Sequence, residues 1–213
     1  NFGGTSSATP LVSGVIALIL EANPSVTYRD VEHIIVHSSR VNDAGDNSWN
    51  TNGAGHDVSH KYGFGVIDAS AAVDLAEAWV NVDPVINYQS GLIDVPDQQI
   101  PDNSAPGIVE TIQVPDSIKI EHVEVVVDID HTYRGDLEII LTSPSGTQSV
   151  LSEKHEDSGN NWNNWMFTSV HHWDEDSFGE WSLSIEDKGN GDTGTLRDWE
   201  LNIYGTEINT DRD

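Results

Sequence analysis

The sequence predicts two parts of different class, residues 1–84 as helices and residues 85–213 as an all-β antiparallel sandwich or jelly roll. Three observations carry this expectation. Apolar residues recur with a helical spacing up to "VNVDP" (80–84) and with a period of two further on. The period-two runs are short and are separated by Gly, Pro, Asn and Asp clusters, as in sandwiches and jelly rolls. Charge divides unevenly as well, with ten acids and three bases in residues 1–84 against twenty-six and six in residues 85–213.

The helical elements follow in order. "TPLVSGVIALILEA" is a near-continuous apolar run that ends at Asn23-Pro24, and "TYRDVEHIIVHSS" begins with Thr27 and Asp30 spaced as a capping box. A third helix is expected from Asp68 to Trp79. Residues 80–120 offer little to hold on to. Beyond them, Val123, Val125, Val127 and Ile129 form one alternating set, and Leu137, Ile139 and Leu141 a second. Trp181, Leu183 and Ile185 form a third, and Trp199, Leu201 and Ile203 a fourth. The core of the second part is expected to run to about residue 205.

Composition narrows the functional classes. A formal charge of -27 on 213 residues repels nucleic-acid phosphates and anionic lipid, so neither is expected as a partner. There is no cysteine, so loops must be held by packing or by metal. The apolar stretch Leu11–Leu20 is broken by Ser13 and Gly14 and reads as too short to span a bilayer. No leader is readable at "NFGG", and the chain reads as a piece of something longer.

A hydroxyl cluster, Thr5, Ser6 and Ser7, stands directly before the most apolar helix. A nucleophile at a helix entrance profits from unpaired N–H groups and the helix dipole, which stabilise a developing oxyanion. A plain capping role would use the same residue types. The longer pattern decides between them. "GTSSATP" followed by "LVSGVIALILEANP" resembles the Gly-Thr-Ser-x-Ala-x-Pro segment of the subtilisin-like serine proteases, which implies Ser6 as nucleophile, with Ala8 and Pro10 at the other motif positions.

"WNTNGAGHDVSHKYGFGVIDASAAVDLAEAW" resembles the closing stretch of the catalytic domain in the kexin and furin branch. "HTYRGDLEIILTSPSGTQSVL", "NNWNNWMFTSVHHWDEDSFGEWSLSIED" and "GTLRDWELNIYG" resemble the P domain that follows it. The resemblance implies an α/β subtilisin-like remnant, mostly helical here, in residues 1–84, and a β jelly-roll P domain in residues 85–213. It further implies a secreted, periplasmic or extracellular serine endopeptidase that cleaves protein or peptide substrates after basic pairs, with the P domain stabilising the catalytic domain. In the subtilisin-like order Asp and His precede Ser, so the rest of the triad and of the catalytic domain is expected before residue 1, and the chain alone is expected to be inactive. The lack of cysteine and the acidity point to a bacterial relative. The alternative from another class is a non-catalytic jelly-roll module that binds or stabilises a partner.

His60 matches a family position and reads as a packed or hydrogen-bonded ring. His171 and His172 read as strand neighbours facing opposite ways, unsuited to one metal. The "RGD" at 134–136 reads as a turn, and Trp181 and Trp199 as core residues in preference to sugar platforms. The charge of residues 85–213 also favours a bound Ca2+, with Asp136, Asp187 and Asp192 as expected ligands, the last two in the Gly-rich loop "EDKGNGDTG".

Overall fold

The structure is a computed structural model and describes residues 4–208. It divides into two units: the chain up to Thr51 together with His56–Asp83, and Asn52–Gly55 together with the chain from Pro84 onward.

In the first unit α1 (Thr5–Ala22), α2 (Tyr28–Ser38) and α3 (Ala69–Ala78) bury Ile19, Ile34, Ala72 and Ala76 in one core. The capping box at Thr27 and Asp30 is formed: the Thr27 N–H donates to Asp30 Oδ2 at 2.6 Å and the Asp30 N–H donates to Thr27 Oγ1. Asp30 also accepts from Trp79 Nε1 at 2.9 Å and from the Val82 N–H at 2.7 Å, so one buried carboxylate starts α2 and fixes the chain leaving α3. Burial would raise its pKa, but these donors outweigh burial and hold it low. At the other joint Asn23, which caps α1, donates from Nδ2 to the Ala76 carbonyl at 3.0 Å.

Two expectations about this unit are corrected. It is not mostly helical, because between α2 and α3 the chain forms turns and a two-stranded antiparallel ribbon, β1 (Trp49–Thr51) and β2 (Asp57–Ser59). Asn42, Asp43, Gly45, Asp46 and Asn47 crowd this stretch, and such residues bond to their own backbone in preference to a helix. The Leu11–Leu20 stretch, expected to be too short to span a bilayer, also forms part of an 18-residue helix. Thr9 and Ser13 turn their hydroxyls back to the carbonyls four residues earlier, at 2.9 and 3.1 Å, so polar residues join the helix without breaking it. By length and composition alone, α1 is long and apolar enough to cross a membrane.

The second unit consists of two antiparallel sheets around one core. Its strands are β3 (Ile86–Gln89), β4 (Ile93–Ile100), β5 (Ile108–Val114), β6 (Ile118–His131), β7 (Leu137–Thr142), β8 (Gln148–Ser152), β9 (Trp162–Ser169), β10 (Gly179–Asp187) and β11 (Gly194–Glu207). One sheet has the order β5-β10-β7-β8; the other has the order β3-β11-β6-β9, with β4 also paired to β11. All four alternating sets named from the sequence lie fully buried on β6, β7, β10 and β11. β3, β4 and β5 all arise from residues 80–120, outside the four alternating sets. β4 carries Pro96 and buries only Val95 and Ile100, which leaves almost no alternation to read.

The outer face of the second sheet carries an unfavourable row. Asp198 on β11 pairs directly with Asp94 on β4 and with Asp128 on β6. Like charges directly opposite one another destabilise a sheet. Partial burial raises the Asp198 pKa, and Asp128, Glu200 and Asp94 raise it further, against partial relief from Arg197. A raised carboxyl pKa means the folded chain holds that proton more tightly than the unfolded chain, so stability falls as pH rises through the titration. Asp198→Asn is therefore expected to stabilise the chain at pH 7 by about 0.2–1 kcal/mol for each repulsive pair relieved. Thermal unfolding at pH 7 and pH 4 checks this, with the smaller gain expected at pH 4.

Candidate functional site: the entrance of the first helix and a buried carboxylate cradle

Ser6 lies in the first turn of α1 and is exposed. Two backbone features prepare this position. Gly4, the N-cap, has φ +76°, in the region that side-chain-bearing residues avoid, and it turns the chain into the helix without capping it by a side chain. Pro10 lies inside the helix and has no N–H, so the Ser6 carbonyl lacks its i+4 donor. The Ser7 hydroxyl donates back to the Gly4 carbonyl at 2.9 Å, and Thr9 and Ser13 behave alike, whereas the Thr5 and Ser6 hydroxyls make no such bond among the described residues. The Ser7 and Ala8 N–H groups donate to the Gly4 carbonyl, so the helix-start N–H groups left beside the Ser6 hydroxyl are those of Thr5 and Ser6.

The three carboxylates expected to share calcium are each held by a different partner. Asp136 pairs with Lys154 Nζ at 3.2 Å. Asp187 is fully buried, accepts from the Gly189 N–H at 2.8 Å and lies 3.4 Å from His131 Nε2. Asp192 accepts from the Thr132 hydroxyl. They are not a trio among the described residues whose ligand atoms come within 4.8 Å of one another, so as arranged they do not offer calcium a shared shell. Within "EDKGNGDTG" Asp187 and Asp192 reach back to His131 and Thr132, residues more than fifty positions earlier in the chain.

The "RGD" forms a 3-10 turn, Arg134–Asp136, with Gly135 buried. Arg134 lies 4.7 Å over the Trp162 ring and donates from Nε to Asp157 Oδ2 at 2.8 Å, so both charged residues of the motif are engaged within the fold. His60 is exposed in a turn, not packed. His171 and His172 also lie in a turn and not on a strand; His172 is fully buried, with its ring edge-on to Trp181 at 5.0 Å. Trp181 and Trp199 are fully buried, whereas Trp165 is half-exposed on β9.

The sequence reading missed the most densely bonded side chain of the second unit. Glu175 is buried and accepts from Ser143 at 2.6 Å, from Ser145 at 2.8 Å, from Thr147, and from the Gly53 N–H at 2.8 Å. Asn52 completes the grip, donating to the His171 and Trp173 carbonyls at 3.0 and 2.9 Å. A Cβ on Gly53 would lie 2.4 Å from the Ser145 side chain, so only glycine allows this approach. The signal was present in the quoted blocks as "TNG", "SPSGT" and "WDED", but residues so far apart in sequence show no period that would join them.

The proprotein convertase P-domain family matches residues 120–203, and the subtilase family matches residues 1–65. The chain is the end of a kexin/furin-like subtilase domain followed by a proprotein convertase P-domain. It is 41% identical over 210 residues to mouse proprotein convertase subtilisin/kexin type 4, covering 95% of this chain and 32% of that protein. It is 39% identical to human furin, covering 95% of this chain and 26% of that protein. The chain thus spans about a third or less of these curated relatives. Among solved structures it resembles the serine protease of Aeromonas sobria, with a TM-score of 0.87 at 26% identity, over 96% of this chain and 44% of that one.

In the kexin/furin-like chain, Ser6 and the Asn52–Gly55 turn fall in the subtilase-matched stretch, and Glu175 falls in the P-domain match. The Glu175 cradle has a pH consequence. Burial alone would raise the carboxyl, but the nearby His172, the Ser143 and Thr147 hydroxyls and the Gly53 N–H outweigh it, and the group titrates at about 2 against an ordinary 4.5. The stability it contributes is complete above the ordinary value and is lost as pH falls from there toward 2. Glu175→Ala is expected to cost at least about 3 kcal/mol at pH 7, because several buried donors lose their acceptor together. Acid titration followed by tryptophan fluorescence should show the variant less sensitive to pH below 4.5 than the parent chain.

Proposed function

We propose that this chain is the nucleophile-bearing end and P-domain of a kexin/furin-like serine endopeptidase, with Ser6 as the attacking residue. The observation that carries the reading is the placement of Ser6: exposed, on a helix start, after a glycine of positive φ and four residues before Pro10. Ser6 Oγ attacks the scissile carbonyl while a histidine from outside this chain takes its proton, and the N–H groups of the first turn face the oxyanion that forms. Collapse of the tetrahedral intermediate expels the amine, which takes the proton back from that histidine, and leaves an acyl group on Ser6 for water to remove.

The finer reading is also a proposal. The substrates are proteins or peptides cleaved after basic pairs, a specificity supported by likeness to the named convertases and favoured by the charge of -27. The P-domain sandwich is read as a jelly roll that stabilises the catalytic domain. α1 leaves Leu11 and Leu18 exposed on one side and Leu20 on the opposite side, apolar surface suited to cover by the remaining catalytic domain. Action outside the cytosol accords with proprotein-processing relatives. A bacterial source accords with the absence of cysteine and the likeness to the Aeromonas protease. Calcium is given no step, since the three carboxylates do not share a shell.

The chain by itself is expected to show no turnover of a dibasic fluorogenic peptide. In the full-length enzyme Ser6→Ala is expected to lower kcat roughly ten-thousandfold or more with little change in KM, because removing the nucleophile leaves only binding and oxyanion donors. Turnover by the chain alone that a serine-directed inhibitor blocks, or full activity in Ser6→Ala, would refute the assignment.

A further inference from the structure

The second unit carries a cavity of about 640 Å³ that the proposed protease chemistry does not use. It lies at one end of the second sheet, where β11 pairs with both β3 and β6: Gly205 stands opposite Ile86, and Glu207 opposite Ile118. Its apolar lining is Ile86, Ile118 and Ile208, the first two belonging to the sandwich core or packed against it. Another part of the lining is the turn between β5 and β6, which is pinned from the 176–177 segment. The Ser177 hydroxyl donates to the Asp116 carbonyl at 2.6 Å, the Ile118 N–H donates to Ser177 Oγ at 2.9 Å, and the Ser117 hydroxyl donates to Asp176 Oδ1 at 2.8 Å. These bonds hold the backbone at Asp116 and leave its carboxylate unused. The Asp116 and Glu207 side chains are both exposed, and neither has a hydrogen-bond or ion-pair partner among the described residues. No cation is among the residues that line the cavity, and the neighbouring Lys119 pairs with Asp174 at 4.0 Å.

We propose that this cavity binds an arginine or lysine side chain of a partner polypeptide that lies extended along β3. Two carboxylates on one hollow without a counter-charge repel each other, and a cation placed between them relieves the repulsion. The apolar lining selects the kind of cation. A hydrated metal ion gains nothing from Ile86, Ile118 and Ile208, whereas a basic side chain lays its aliphatic stem on them and keeps its charged head at the carboxylates. The volume suits a ligand larger than one side chain, so residues flanking the basic one are accommodated too. The backbone favours a polypeptide over a free polyamine. β3 has β11 on one side and no strand on the other among the described residues, so that edge can take an extended chain by main-chain hydrogen bonds. Ile86 and Asn87 belong both to β3 and to the cavity lining, which makes the edge and the hollow one continuous surface. The charge of -27 draws a basic partner from a distance.

The test titrates a blocked Val-Arg-Val-Arg peptide into the intact chain by calorimetry, beside counterparts with glutamate or norleucine in place of arginine, and beside spermidine. The arginine peptide is expected to bind saturably with a Kd below about 1 mM, the weak end of the affinity range. The glutamate peptide is expected not to bind, and the norleucine peptide and spermidine to bind at least about fivefold more weakly, as the loss of one exposed ion pair or of the backbone pairing predicts. Asp116→Asn and Glu207→Gln change exposed side chains, so each is expected to keep the parent Tm and to weaken binding about threefold to fivefold, with at least about tenfold for the double variant. Glu77→Gln, at an exposed acid on α3, should leave the affinity unchanged, which separates the cavity from general attraction by net charge. No binding at about 1 mM peptide, parent affinity in the double variant, or equal affinity for spermidine or the norleucine peptide would overturn the proposal. The readout is binding, so neither result depends on Ser6 as nucleophile.

Discussion

A carboxylate can stay ionised away from water only if donors replace the water it has lost, and Glu175 is the point on which the second unit meets that condition. Taking such a charge out of water costs several kcal/mol, and each charge-assisted hydrogen bond returns about 1.5–3 kcal/mol. Three hydroxyls from the 143–147 turn and one N–H from the 52–55 turn make the balance favourable. The donors can converge because their own segments are pinned. The Ser143 N–H donates to Thr147 O at 3.0 Å and closes the β7–β8 turn, while the Ile120 N–H donates to Glu175 O and the Asp174 N–H to Ile120 O, which fixes the acceptor against β6. Loss of any one segment would leave a buried charge or buried hydroxyls without partners. The turn from the subtilase-matched stretch is therefore part of the P-domain's polar accounting, and not an ornament on its surface.

This grip sits on a sandwich whose stability has a different origin. Every inward position of the central part of β6 and of β7 and β10 is sealed from water, and the two central tryptophans, Trp181 and Trp199, fill the largest volumes. Trp181 donates from Nε1 to the Ser177 carbonyl at 2.9 Å, so its one polar atom is satisfied in the core. That apolar interior is strong enough to tolerate the aspartate row on the outer face. The row lies where both ladders of β11 shift register between Leu196 and Asp198, and pairing to β4 and β6 resumes on both sides at Asp198 itself.

What was legible in the sequence follows from the range of the interaction involved. Alternation along one strand is local, so Val123 to Ile129 and Trp181 to Ile185 could be assigned to a buried face without a structure. The capping box at Thr27 is local too, as is the glycine before Ser6. Asp30 shows where local reading stops: its cap was visible, but its bonds to Trp79 and Val82 join residues some fifty positions away. Glu175 and Gly53 are farther apart still. The acidic loop at 186–194 is a mixed case: its composition suggested one ion shared by Asp136, Asp187 and Asp192, and the Lys188 N–H does hold the Asp136 backbone beside the loop, while Lys154, His131 with Gly189, and Thr132 give the three carboxylates separate protein partners that composition does not show.

The two units also treat their polar groups differently, and the difference bears on where reactivity can reside. In the P-domain the buried Glu175 is saturated with donors, which lowers its energy and removes it from chemistry. At the start of α1 the chain does the reverse. Gly4 withholds a side-chain cap, Pro10 withholds an N–H from the Ser6 carbonyl, and the Ser7, Thr9 and Ser13 hydroxyls turn back to their own helix while those of Thr5 and Ser6 make no such bond among the described residues. With the Ser7 and Ala8 N–H groups taken by the Gly4 carbonyl, the Ser6 hydroxyl stands beside the N–H groups of Thr5 and Ser6, the donors that a helix start leaves without an intrahelical acceptor. A site that must bind a developing negative charge needs donors that the resting protein has not already used. The helix start supplies them because its own sequence declines to.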